Sequence, residues 1–185
     1  MASIDITEEV RKKLGTNPLP KIDPNTQAPL AEKKEFLFPD LGNAVIPAML
    51  LGFYKHSRNE DAAAQVLNDS GSERILDDVF GDGKNNIIQS ISNYANISAG
   101  SVEAEMKKTS SAILAVLKEQ IKDLNGKTVS TFFTDQRSNI LKHLPAELNM
   151  GEFIKDPSVD DRTNKMEGPM SGMMHTIEKI FSSTK

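Results

Sequence analysis

An all-α fold is the expectation for this chain, and three observations carry it. One phrase occurs three times, as Phe38-Pro-Asp40, Phe80-Gly-Asp82 and Phe133-Thr-Asp135. Each copy precedes an apolar set at matching offsets: Val45, Ile46 and Met49; Ile87, Ile88 and Ile91; Ile140, Leu141 and Leu144. An aspartate accepts hydrogen bonds from the free N–H groups of a helix's first turn. The spacing i, i+1, i+4 marks one buried helix face. Asp40, Asp82 and Asp135 are therefore the expected helix N-caps. The second observation is that steps of three and four recur in nearly every other segment. The third is the lack of a competing strand pattern: the one candidate, 128–133, is short and sits between helix signals.

The elements follow in order. Residues 4–14 form a short helix, with Glu8 and Glu9 in the first turn suiting the helix dipole and Gly15 placed as a C-cap. Pro18, Pro20, Pro24 and Pro29 then remove donors and bias their predecessors away from helix, so an extended linker is expected. The folded domain begins near Leu30. The segment Leu41 to Lys55 is apolar nearly all round, as a central helix is, with Pro47 a potential kink. Asn59 caps a helix over 60–68, with Ala62, Ala63, Val66 and Leu67 inward. Ser72 caps the next, burying Ile75, Leu76, Val79 and Phe80, and Asp82 starts one reaching about Tyr94.

Ser98 opens the longest helix, whose stripe runs Val102, Met106, Ile113, Val116 or Leu117, Ile121 and Leu124. Asn125-Gly126 ends it, since either residue takes the left-handed cap conformation. A short helix near Val129 to Phe133 follows, then one from Asp135 to Leu144 stopped by Pro145. After Phe153 the chain turns polar and reads as a flexible tether. Beyond Pro169, Met170, Met173, Met174, Ile177, Ile180 and Phe181 fall on one face of a final amphipathic helix. The organisation is thus an N-terminal helix and proline-rich linker (1–29), a helical domain (30–154), a tether (155–169) and a C-terminal helix (170–185). The second and third phrase copies agree most closely, and the unequal spacing of the three argues against a regular solenoid. Related helix–turn–helix units packed into one compact bundle fit better.

The totals bound the function. The 185 residues are 38% hydrophobic, enough for one core, and the net charge is −4. No cysteine is present, which removes disulfides, thiolate nucleophiles and cysteine-ligated metals together. The basic runs 11–13, 33–34 and 107–108 are short and scattered, so no nucleic acid is expected as a partner. The longest apolar stretch, Ala44 to Tyr54, is interrupted by Pro47 and Gly52 and falls short of a membrane span. The N-terminus lacks the basic and apolar regions of a secretory signal, and a cytoplasmic location is the expectation.

Catalytic motifs are thin. His56, His143 and His175 stand far apart and outside any H-E-x-x-H pair. A calcium loop over 78–89 fails, because Phe80 and Gln89 stand where oxygen donors, including a bidentate Glu, are required. Gly81-Asp82-Gly83-Lys84 lacks the spacing of a phosphate loop. Gly168-Pro-Met-Ser171-Gly172 misses the G-x-S-x-G elbow by one position. No catalytic residue, cofactor or metal ligand is expected.

Several of these segments resemble the bacterial domain-of-unknown-function family 937. Leu41 to Lys55 is similar to its P-x-x-L-x-G-L helix, and Ile75-Leu-Asp-Asp-Val-Phe-Gly81 to its L-x-x-x-F-G turn. Residues 87–116 resemble the helix pair that follows. The stretch from Thr128 through Gln136 to His143-Leu-Pro-Ala-Glu-Leu148 resembles its L-P-x-x-L end. The resemblance spans about residues 36–153 and implies a mostly helical fold with no established activity. The expectation is a bacterial, non-catalytic protein–protein interaction module, whose stripe of Met170, Met173, Met174, Ile177, Ile180 and Phe181 either folds back on its own core or docks onto a partner. Two alternatives stand beside it: an enzyme with a carboxylate site invisible in sequence, and a helix–turn–helix nucleic-acid binder around Ser98 to Lys108.

Overall fold

The computed structural model describes residues 4–22, 41–68 and 74–153. The Asp40 cap, the Ser72 cap and the whole C-terminal stripe from Met170 to Phe181 lie outside them. The elements are α1 (Ile6–Leu14), α2 (Leu41–Ser57), α3 (Glu60–Asn68), α4 (Ile75–Phe80), α5 (Lys84–Ala95), α6 (Ala99–Gln120), α7 (Gly126–Leu141) and α8 (Met150–Phe153). Two 3-10 turns, Gly81–Gly83 and Ala146–Leu148, join them, and no β-strand occurs among the described residues. The all-α bundle expected from the periodicity is the observed architecture.

Helix α2 is the central post. Its residues from Gly42 to Tyr54 are all buried, and it packs against α1, α3, α4, α5, α6 and α7. Pro47 lies inside it, so the Asn43 carbonyl loses its intrahelical N–H partner. Burial on every side holds the helix together across that gap. Gly52 lets α4 come close: a Cβ there would run into the Phe80 ring and Val79. The ring of Phe133, fully buried on α7, stands 6.2 Å from that of Phe53 on α2.

Local chemistry explains several boundaries. Asn59 Oδ1 accepts from the Asp61 and Ala62 N–H groups at 3.0 and 3.1 Å, capping α3. Ser98 Oγ accepts from Ser101 N–H at 3.3 Å, capping α6. Gly15, at φ 68°, closes α1 in the left-handed conformation, its N–H returning to the α1 carbonyls.

Four expectations need correction. Asp82 does not cap a helix. It is an exposed residue of the Gly81–Gly83 turn, and α5 begins at Lys84 with no side-chain cap. Gly81, at φ 53°, turns the chain there. Asp135 does not cap one either: it lies exposed in the interior of α7, which runs unbroken where two short helices were expected. The cap of α7 is Asn125, in a capping box with Thr128. Third, Asn125-Gly126 begins α7 and does not end α6. Helix α6 already stops at Gln120, where Ile121 turns extended. The loop is claimed by side chains, since Thr128 Oγ1 and Asn125 Nδ2 both donate to the Asp123 carbonyl. Gly126 is needed for close approach, because a Cβ would strike the Glu60 backbone of α3.

The fourth correction concerns residues 4–22, which pack onto the helical domain and do not stand apart from it as an extended linker. Ile6, Val10 and Leu19 belong to the main core and Ile22 is also buried, and α1 packs on α2, α6 and α7. Each such aliphatic burial contributes about 1.5–3 kcal/mol.

Candidate functional site

An open concavity of about 470 Å³ lies where α6 hands over to α7. The Ile121–Asn125 loop supplies Ile121, Lys122 and Asp123, and α7 supplies Lys127, Thr128, Thr131, Phe132 and Asp135. Its volume suits a ligand, yet it is shallow. Lys122, Asp123, Lys127 and Asp135 are exposed at its rim, and two lysines against two aspartates leave no net charge. Phe132 and Ile121, both partly buried against the core, are its apolar elements. The site is chemically an amphipathic shelf.

A second, much smaller space of about 10 Å³ lies between α2, α3, α6 and α7, roughly the room one water needs. Phe53, Phe133, Val66 and Leu117 line it together with His56 and Ser57. Neither polar group is aimed at chemistry. His56 Nε2 donates to the Ala62 carbonyl at 3.2 Å, and Ser57 Oγ donates to the Tyr54 carbonyl at 2.9 Å.

The densest polar arrangement joins the N-terminus to the end of α7. Ile6 N–H donates to Gln136 Oε1 at 3.0 Å. Lys142 Nζ lies 2.6 Å from Asp5 Oδ2 and 3.1 Å from Asn139 Oδ1. His143, 4% exposed, donates from Nδ1 to the Pro20 carbonyl at 2.8 Å. Burial pushes the Asp5 carboxyl up, but the Lys142 hydrogen bond and charge and the Thr7 donors outweigh it, leaving its pKa below the ordinary 3.8. Burial lowers His143 below its ordinary 6.5, with Lys142 adding to the effect against the Pro20 carbonyl, Asp5 and Glu8.

The structure thus separates the histidines: His56 serves α2–α3, His143 serves the N-terminal seam, and His175 lies outside the described residues. Among the described residues, no group of three or more His, Asp or Glu side chains is placed to hold a metal ion. Lys107 and Lys108 pair with Glu103 at 3.2 Å and Glu105 at 3.3 Å, which offsets the positive charge of that face. No described helix is long and apolar enough to cross a membrane.

Sequence reasoning missed the seam. A signal was present: Gln136 stands in the buried column Val129, Phe133, Gln136, Ile140, and a glutamine there needs a partner. Comparison with family models, with curated proteins and with solved structures found no match.

Proposed function

We propose that this chain is a non-catalytic protein–protein interaction module of a bacterial cytoplasm, related to the domain-of-unknown-function family 937. The observation that carries the reading is how the polar side chains are used. His56 and His143 each bond a backbone carbonyl, Gln136 and Lys142 tether the N-terminus, and Asn59, Ser98 and Asn125 cap helices. The α6–α7 shelf, with an aromatic floor and balanced rim charges, has the composition of a contact surface. The Met170–Phe181 stripe supplies a second candidate face, because methionine-rich faces adapt to varied surfaces.

The test is affinity capture from native extract with three baits: the whole chain, a chain lacking residues 156–185, and Phe132→Asp. The reading expects a saturable partner that one of the two altered baits loses. Identical partner lists from the first two remove the tail from the mechanism. The absence of any specific partner for the whole chain contradicts the reading.

A further inference from the structure

Residues 4–22 are held to the fold by hydrogen bonds that converge on one short stretch, 136–143, and by the Lys13–Glu119 ion pair to α6 at 2.6 Å. Gln136 takes the Ile6 N–H, and the Asn139 carbonyl takes the Thr7 hydroxyl at 3.5 Å. The Lys142 ammonium holds Asp5 while its carbonyl accepts the Ile22 N–H at 2.8 Å. His143 holds Pro20. Under these bonds Ile6, Val10, Leu19 and Ile22 are buried. Residues 23–40 separate this element from α2 in sequence, so its displacement interrupts no helix of the remaining bundle.

We propose that residues 4–22 are an acid-weakened strap: a second proton on His143 loosens their hold on the 136–143 edge, so that they open more often from the α2–α6–α7 surface beneath while the other helices stay folded.

The geometry gives the cause. With Nδ1–H donated to Pro20, the neutral ring keeps Nε2 as its proton-accepting atom. Protonation there puts a cation into a site only 4% exposed, beside the Lys142 ammonium. Asp5 and Glu8 face it from the α1 side with opposite charge but do not cancel the burial. Glu8 is moreover engaged by Arg11 at 2.9 Å, and Asp5 by Lys142. When the strap leaves, water reaches the ring and its proton affinity returns to normal.

Because the docked pKa lies below the free value, His143 favours docking fully above about pH 6.5, and that contribution is lost as pH falls through the lowered docked value. Asp5 works with the same sign at lower pH. Its docked pKa is below 3.8, so its contribution is complete above about pH 3.8.

The experiment is hydrogen–deuterium exchange of the whole chain at pH 7.5 and 5.5, corrected for intrinsic rates. One proton per opening predicts a loss of protection of up to about tenfold in peptides from 4–22, with α2 unchanged. His143→Asn keeps an N–H donor near Nδ1 and cannot titrate, so its 4–22 protection should not depend on pH over this range. A ring-proton NMR titration of His143 in the unaltered chain should report its transition at the pH where 4–22 opens. The proposal is overturned by pH-independent protection of 4–22, by simultaneous opening of 4–22 and α2, by persistence of the pH effect in His143→Asn, or by a His143 titration unconnected to the opening.

Discussion

Residues 79–91 and 132–144 present nearly the same order of side chains to the core, yet the backbone runs through them in different ways. In the first, Phe80 ends α4, Gly81 reverses into positive φ, and a new helix starts at Lys84. In the second, the helix runs straight past Phe133 and Asp135 to Leu141. The apolar sets are buried in both: Ile87, Ile88 and Ile91 in one, Ile140, Leu141 and Leu144 in the other. The decisive difference is the residue between the aromatic and the acid. Gly81 reaches positive φ without a Cβ penalty. Thr134 has no such freedom, and its hydroxyl bonds back to the Ser130 carbonyl at 2.9 Å within the helix. An apolar pattern selects which face is buried, and one glycine decides whether the chain breaks.

Substitutions can break or sharpen this contrast. The largest expected effect is Phe133→Ala, which empties a fully buried site between α2 and α7. It should cost about 3–5 kcal/mol in urea unfolding. Phe80→Ala, at a position 9% exposed, should cost less. Equal losses would mean that the two aromatics hold equivalent places.

The next pair compares two glycines needed for different reasons. Gly126→Ala must push α7 off the Glu60 backbone and should cost roughly 3 kcal/mol, the upper range of overpacking. Gly81→Ala meets no atom within 4 Å and suffers only its backbone conformation, φ 53° and ψ −136°, a cost of about 1–3 kcal/mol. Thermal unfolding of the two variants should rank them in that order, and the reverse order would relocate the helix break.

Asn125→Ala removes the capping box and should lose about 1 kcal/mol. Asp82→Ala and Asp135→Ala should each stay within about 0.5 kcal/mol, since both carboxylates are exposed and cap nothing. A loss near 1 kcal/mol at either aspartate, measured in the same denaturation series, would restore it as a cap.

Much of the fold is legible where the signal is local. The apolar run of α2, the Asn59 and Ser98 caps and the Gly15 stop depend on neighbours within one turn, and each stands where the sequence puts it. The seam was not legible in this way. Ile6 meets Gln136 across 130 positions, and His143 meets Pro20 across 123. Periodicity carries no record of such pairings, so the prolines at 18 and 20 suggested a linker even though Leu19 and Ile22 are buried. The α6–α7 shelf was hidden for a related reason: Asn125-Gly126 has the composition of a helix stop, and only the Thr128 partnership makes it a start.

The most direct test of the account is the backbone carbon chemical shifts of the whole chain in solution. The account predicts one unbroken helical run from 126 to 141 and an interruption at 81–83. An interruption at 134–135, or helical shifts continuing through Gly81, would contradict it.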